Sequence, residues 1–304
     1  MSNKLMRLND NTVIKKDNIN LFSNGLRGHV IFKDPITGKT LLEKDNKVVI
    51  SGSMLTACAL FDKDPWVDME SYNVALGLEN AKERATFNSI PDFNGKKQKS
   101  NILLFCGGAS LNPDIPAGCG SENSQVYDVN YAGRIHPSNL VPFRYVNPSP
   151  NELNVDQSDL DPEMRDKYVG RKVDSTTGRI AYYFKTFENE GTGICRFLEE
   201  SGTTTDISDS SEIYNATTIK NAETFIELNL QITKEDFRDY FRANNANSLS
   251  LAHINCISLC SAWREIIDGH TVYQDITPVT QLNIPNESLV DTSKGIDITY
   301  QIFL

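Results

Sequence analysis

The sequence predicts a mainly β protein, an antiparallel β-sandwich with two or three short helices and long loops. Several segments alternate apolar and polar residues with the period of two that a half-buried strand requires. The strand segments are not separated by helical segments long enough to act as crossovers, which argues against a parallel, doubly wound sheet. An antiparallel sandwich buries one face of each such strand and leaves the other face in water.

The first folded element is predicted to be a hairpin. The segment "HVIF" has strand character, the turn-forming "DPITG" follows, and "KTLLE" returns. After "DNKVVI", the apolar residues of "SGSMLTACALF" recur at helical spacing, and Ser51 or Ser53 is available to cap that helix. Cys58 is then a core residue of the helix.

The chain is expected to divide into an extended N-terminal arm, residues 1–24, and a β-rich structural domain, residues 25–304. The arm is polar with isolated apolar residues, as in segments that are loose or docked on a neighbour. Within the domain, residues 107–175 are a candidate loop-rich insertion, because long irregular segments in a compact domain usually serve binding.

Strand patterns dominate the second half of the chain. "GRIAYYFKTFE" is predicted to place Ile180, Tyr182 and Phe184 on one face. Between "TFIELNLQIT" and "GIDITYQIFL", Thr233 and Asp236 form a variant capping box that starts a short helix. The residues predicted to face inward on those two strands are Ile226, Leu228, Leu230, Ile232, Ile296, Ile298, Tyr300 and Ile302.

The stretch "AHINCISLCSAW" holds two of the six cysteines, Cys256 and Cys260, with His253 before them. On a strand these cysteines share a face but lie about 13 Å apart, at about 3.3 Å per residue. A disulfide requires Cα atoms within about 7 Å. We interpret the stretch as a central strand that uses cysteine as a small apolar residue, with Ile257 and Leu259 nearer the other face.

No catalytic, cofactor or metal site is predicted. "FCGGAS" lacks the spacing and the ending of a phosphate-binding loop, and the acidic "VDQSDLDPEMRD" lacks the EF-hand pattern. The histidines and the acidic residues of this loop are interpreted as structural or solvated; they are His29, His136, His253, His270, Asp156, Asp159, Asp161 and Asp166.

Charge and hydropathy narrow the classes of partner. The net charge of −10 disfavours binding to nucleic-acid phosphates, and the short cluster "GKKQK", Gly95–Lys99, is interpreted as a solvated loop. No run of about 18 apolar residues occurs, so no membrane contact is expected. The N-terminus lacks the apolar run of a signal peptide. The starting methionine and the spread of the cysteines suit synthesis in a reducing cytosol.

Six segments resemble parts of the minor structural proteins of tailed bacteriophages, such as baseplate, fibre-adaptor and neck components. They are "DNKVVISGSMLTACALF", "RIHPSNLVPFRYV", "AYYFKTF", "HINCISLCSAW", "HTVYQDITPVTQLNI" and "GIDITYQIFL". The resemblance spans roughly half the chain and implies a non-enzymatic structural subunit located in the virion and made in the host cytoplasm. Its expected partners are other phage virion proteins and further copies of itself in a symmetric assembly.

Other functions remain open at this point. A carbohydrate- or receptor-binding module of the virion would use Trp66 or Trp263 as a stacking platform, with Tyr72 and Tyr273 near them in sequence. A capsid decoration protein and a hydrolase are further alternatives. The 40 acidic residues offer carboxylates for hydrolysis, but no pair stands out.

Overall fold

The computed structural model describes residues 27–49, 51–52, 55, 103–108, 135, 139–146, 160, 164, 167–173, 175, 178–188, 191–209, 218–243, 256–267, 270–284 and 294–303. Strands make up 69% of the described residues, and every strand pairing among them is antiparallel, which confirms the predicted mainly β class. The predicted arm, residues 1–24, and most of residues 107–175 lie outside the described residues.

The strands and the helix of the described chain are β1 (Arg27–Lys33), β2 (Thr40–Val48), β3 (Leu103–Gly108), β4 (Leu140–Val141), β5 (Arg144–Val146), β6 (Tyr168–Val173), β7 (Ile180–Thr186), β8 (Thr192–Glu199), β9 (Thr204–Ile207), β10 (Ile219–Ile232), α1 (Lys234–Ala243), β11 (Cys256–Ile267), β12 (His270–Asn283) and β13 (Ile296–Phe303). The strands follow the order β5-β7-β3-β11-β12-β2-β1-β13-β10-β8-β9. In addition, β4 pairs with β3 and β6 pairs with β7. The described residues of the candidate insertion 107–175 therefore include three strands that belong to the sheet.

The predicted hairpin is confirmed as β1 and β2. Its turn is rigid, because one side-chain oxygen of Asp34 accepts hydrogen bonds from the amides of Ile36 and Thr37, both at 2.9 Å. Gly38 closes the turn at a φ of 69°, in the left-handed region that glycine adopts without a steric penalty. The return strand runs without a break through "DNKV", so β2 is longer than "KTLLE" alone.

Strand β2 links two sheets. Up to Asn46 it pairs with β1 in the first sheet, which continues through β13, β10, β8 and β9, and then Lys47 and Val48 pair with β12 in the second. Asn46 is buried at this corner, where its amide donates to the Thr280 hydroxyl at 2.7 Å. Gly28 lies opposite, and a Cβ there would meet the Asn46 side chain at 1.7 Å, so glycine makes room for the buried amide.

The two sheets bury one shared apolar core, in agreement with a sandwich. The Tyr300 and Thr280 hydroxyls are hydrogen-bonded across it, from β13 to β12. Of the inward-facing residues predicted on β10 and β13, all are buried except Ile226, which is partly buried against the core. The core includes Val30, Phe32, Leu228, Leu230, Ile298 and Tyr300 from the first sheet, and Tyr182, Ile257, Leu259 and Leu282 from the second.

Strand β11 is central, as predicted, because it pairs with β3 on one side and β12 on the other. Its two faces pack in different apolar clusters. Ile257 and Leu259 belong to the shared core, while the fully buried Cys256 and Cys260 belong to a second cluster. Ile254 of the same stretch lies outside the described residues.

Strand β7 departs from its predicted faces. Tyr182 packs in the shared core, but Phe184 packs in the second cluster. The strand changes neighbour along its length, since Ile180 to Tyr182 pair with β5 whereas Phe184 to Thr186 pair with β3. Lys185 is also buried, and only Tyr183 and Thr186 of this strand are partly exposed.

The predicted N-terminal helix is described only at residues 51, 52 and 55, which are helical. The Ser51 hydroxyl donates to the carbonyl of Pro278 at 2.6 Å. A Cβ on Gly52 would lie 2.1 Å from the carbonyl oxygen of Val279. This helical turn therefore packs directly on the backbone of β12, which only a glycine allows. Cys58 lies outside the described residues.

Candidate functional site

Helix α1 places two carboxylates in the protein interior. Asp236 and Asp239 are three residues apart and therefore lie on the same side of the helix. Their side chains are 0% and 3% exposed, which is rare for aspartate unless it is paired. The predicted capping box is confirmed, because the Thr233 amide donates to Asp236 Oδ2 at 2.9 Å and the Asp236 amide donates to Thr233 Oγ1 at 3.2 Å.

Asp236 is paired with a buried lysine. Lys185 Nζ, on β7, lies 2.8 Å from Asp236 Oδ2, and the lysine side chain is 1% exposed. Lys185 also donates to the backbone carbonyl of Gln231. The Tyr168 hydroxyl, on β6, donates to the other carboxylate oxygen, Oδ1. With the Thr233 amide, which precedes α1, the carboxylate therefore accepts from three donors, two of them on β6 and β7.

Asp239 is paired with an arginine of β5. Arg144 Nε donates to Asp239 Oδ2 at 2.9 Å, and the Tyr145 amide donates to the same oxygen at 3.4 Å. Arg238 Nε lies 3.5 Å from the other oxygen and is more exposed. Two residues of β5 therefore donate hydrogen bonds to the second carboxylate of the helix.

Tyr168 lies between the two ion pairs. Lys185 Nζ lies 5.3 Å from the centroid of its ring, and the Arg144 guanidinium carbon lies 5.5 Å from it, both within cation–π range. Burial, followed by the Asp236 carboxylate, raises the pKa of Tyr168 far above its ordinary value. The hydroxyl therefore keeps its proton and acts as a hydrogen-bond donor to Asp236.

We call these five residues, Lys185, Asp236, Tyr168, Arg144 and Asp239, the buried charge network. It has two cations and two carboxylates, so its formal charge cancels. Desolvation of each ion costs several kcal/mol, which pairing and hydrogen bonds must offset. The network joins α1 to β5, β6 and β7, and its groups are engaged with each other, so the arrangement acts to hold the helix against this side of the sandwich.

Sequence reasoning singled out only Asp236 of this network, and only as a cap. The other four lie on separate elements that meet in the fold. One signal was available: Lys185 interrupts the apolar run "IAYYFKTF", and a lysine in a strand that is otherwise apolar on both faces requires a buried partner. No pattern in the sequence shows which acid provides it.

The candidates weighed in the sequence do not converge on one site. His29 lies on the outer face of the first sheet, with Asp45 at 2.7 Å from Nδ1 and Glu43 at 3.0 Å from Nε2. The Cys256 thiol lies 3.3 Å from Asn283 Oδ1 in the protein interior. Tyr273 is partly buried and packs against the second apolar cluster, which argues against its use as a stacking platform.

The backbones of Trp263 and His270 lie in β11 and β12, respectively. The remaining candidates, namely His136, His253, Trp66, Tyr72, Asp156, Asp159, Asp161 and Asp166, lie outside the described residues. Among the described residues, no group of three or more histidine, cysteine or acidic side chains is arranged to hold a metal ion. No helix in the described part of the chain has the length and apolarity needed to cross a membrane.

The outer face of the first sheet carries side chains paired across strands. Gln301 donates to Glu227 at 2.9 Å, and Gln231 donates to Asp297 at 3.0 Å. At one end of the face, Phe225 and Phe303 lie 4.9 Å apart between ring centroids. The guanidinium of Arg196 covers Phe225 at 4.7 Å, and that of Arg27 covers Phe303 at 4.3 Å.

One apolar side chain projects from the β1–β2 turn. Ile36 is 73% exposed, more than any other large hydrophobic residue of the described chain. The hydrogen bonds of Asp34 hold the backbone beneath it. A rigid turn that carries an exposed apolar residue has little entropy to lose on contact with a partner.

The fold and the network define a mainly β, antiparallel protein in which buried ion pairs fix helix α1 to the sheet. Comparison of the chain with protein-family models, with curated proteins and with solved structures found no match.

Proposed function

We propose that the protein is a non-enzymatic structural subunit of a tailed-phage virion, in the tail baseplate, the fibre-attachment region or the neck. It holds neighbouring subunits through its N-terminal arm and its loops. The proposal rests on the resemblance of its strand segments to minor virion proteins. Three of those segments correspond to β11, β12 and β13, which pair on both sides within their sheets.

The hairpin turn adds a feature that suits subunit contact. Buried apolar anchors dominate the free energy of protein interfaces, and a rigid support lowers the cost of ordering them. Ile36 can serve as such an anchor, because it is exposed in the subunit and can be buried by a neighbour. Its support is ordered by the hydrogen bonds of the turn to Asp34. In the assembly, this turn is one of the loops that contact a neighbouring subunit.

The first experiment is to locate the protein in the particle. We expect it among the proteins of purified virions, at a fixed copy number, and we expect antibody labelling at the tail or the neck in electron micrographs. Its absence from purified virions, when it is present in infected cells, would contradict the proposal.

A second experiment tests the contact surfaces. Deletion of residues 1–24 and, separately, Ile36→Ser are expected to lower incorporation of the subunit into virions. Ile219→Ser is the matched control, because Ile219 is also an exposed isoleucine of the described chain, at 37%, but lies at the start of β10. Normal incorporation of both test variants would contradict the roles given to the arm and the turn.

A further inference from the structure

The pair Lys185 and Asp236 is placed for a chemical step as well as for an ion pair. Nζ lies 2.8 Å from Oδ2, and the two side chains are 1% and 0% exposed. We propose that Lys185 Nζ and Asp236 Cγ condense to an intramolecular isopeptide bond that covalently joins β7 to α1. This goes beyond the proposed virion role and does not depend on it.

The reaction begins with a proton transfer inside the pair. The ammonium gives one proton to the carboxylate, which produces a neutral amine and a carboxylic acid without any change in total charge. The transfer needs no outside base, because Nζ and Oδ2 are already in hydrogen-bond contact at 2.8 Å. The amine is the nucleophile, and the acid is the electrophile.

The amine lone pair then attacks Asp236 Cγ, and a C–N bond forms. Tyr168 donates a hydrogen bond to Oδ1, where negative charge develops in the tetrahedral intermediate. The nitrogen loses a proton to the departing Oδ2 hydroxyl, the C–O bond breaks, and one water molecule leaves. One ammonium and one carboxylate become one amide and one water, and no oxidant or reductant is required.

The fold positions the reacting groups before the step. Tyr168 holds one carboxylate oxygen, and the Thr233 amide holds the other at 2.9 Å. The Gln231 carbonyl accepts a hydrogen bond from Nζ. Groups held in this way react as if at very high local concentration, with effective molarities of about 10⁵ M or more in well-oriented cases. The raised pKa of Tyr168 keeps its proton available throughout.

Other close pairs of the described chain lack this combination. Lys167 and Glu188 lie 3.5 Å apart, but their side chains are 46% and 38% exposed, so water stabilises the ions. Arg144 and Asp239 are nearly as buried as the proposed pair, but a guanidinium does not lose its proton in proteins and is not an acylation nucleophile. Among the lysines that the structure describes, Lys185 is the one that is both buried and in contact with a buried carboxyl group.

The test is the mass of the purified, fully denatured full-length protein. We expect a mass lower than the sequence mass by one water molecule, and a branched peptide that joins the segments of Lys185 and Asp236. Asp236→Asn is expected to lose one ammonia instead, because the side-chain amide nitrogen becomes the leaving group. Lys185→Arg is expected to have its full sequence mass.

Lys167→Arg is the matched control, because it makes the same substitution at the exposed pair and should still lose one water. A wild-type protein that is folded but has its full sequence mass, with no branched peptide, would overturn the proposal. A loss of water that persists in Lys185→Arg would also overturn it, since the loss would then arise elsewhere in the chain. The mass of the wild-type protein tests the proposal even if a variant fails to fold.

Discussion

The substitution Asp239→Asn tests how much free energy of unfolding depends on the buried charge network. Asparagine has almost the same shape as aspartate, so packing changes little. It removes the charge that faces Arg144, and its amide group cannot replace a carboxylate that accepts from Arg144 Nε, Arg238 Nε and the Tyr145 amide. Arg144 is only 10% exposed, so water compensates for little of the loss.

Loss of one partner from a buried ion pair costs about 3–5 kcal/mol. We expect Asp239→Asn to lower the free energy of unfolding by about 3 kcal/mol, near the lower end of this range. The introduced asparagine side chain would still accept one hydrogen bond, worth about 1 kcal/mol. The free energy of unfolding is measured by urea titration with fluorescence detection. If the slope of the free energy of unfolding against urea concentration is the same for both proteins, the two unfold between equally compact states and their free energies can be compared directly.

Asp206→Asn is the matched control. Asp206 accepts from Arg196 Nε at 2.7 Å, a contact at least as close as that in the buried pair, but the two side chains are 42% and 31% exposed. Exposed pairs contribute about 0–1 kcal/mol. If the two substitutions lowered the free energy of unfolding equally, burial would not be the property that makes the network important, and the reasoning would be wrong.

Three further predictions concern single positions. Gly52→Ala should lower the free energy of unfolding by about 1–3 kcal/mol through overpacking against β12, whereas Gly193→Ala, where a Cβ meets no atom within 4 Å, should change it little in thermal melts. Hydrogen bonds from the turn amides lower the pKa of Asp34, so carbon NMR should give a titration midpoint below the ordinary value for aspartate. This stabilisation is present above the ordinary pKa and is lost as the pH falls through the folded-state value. Cys256→Ser should cost about 1–3 kcal/mol because it buries a hydroxyl, against a smaller effect for the partly exposed Cys195, and elemental analysis should find no bound zinc.

Local sequence patterns predicted much of the fold because they reflect the properties of single strands, turns and helix ends. The alternation in "TFIELNLQIT" and "GIDITYQIFL" identified two strands of the first sheet and the faces they bury. "DPITG" identified the turn between β1 and β2, and Thr233 with Asp236 identified the start of α1. Each depends on residues a few positions apart, so no knowledge of the rest of the fold is needed.

Patterns were less informative where a residue's surroundings change along a strand. The period of two predicted one face for Tyr182 and Phe184, but β7 changes neighbour between them, and the two rings pack in different clusters. Strand β2 likewise passes from one sheet to the other at Asn46. Such changes depend on which strands lie beside the segment. The alternation of apolar and polar residues within the segment does not predict those neighbours.

The sequence by itself determined the mainly β class, the hairpin turn, the capped helix and the central strand that contains Cys256. These follow from backbone preferences and from short-range periodicity. Only the tertiary structure decided that Lys185 meets Asp236, and that both lie beside Tyr168. The physical reason is that ion pairs and covalent chemistry depend on distances of about 3 Å between atoms, and residues on different strands reach such distances only after the sheets have paired and packed.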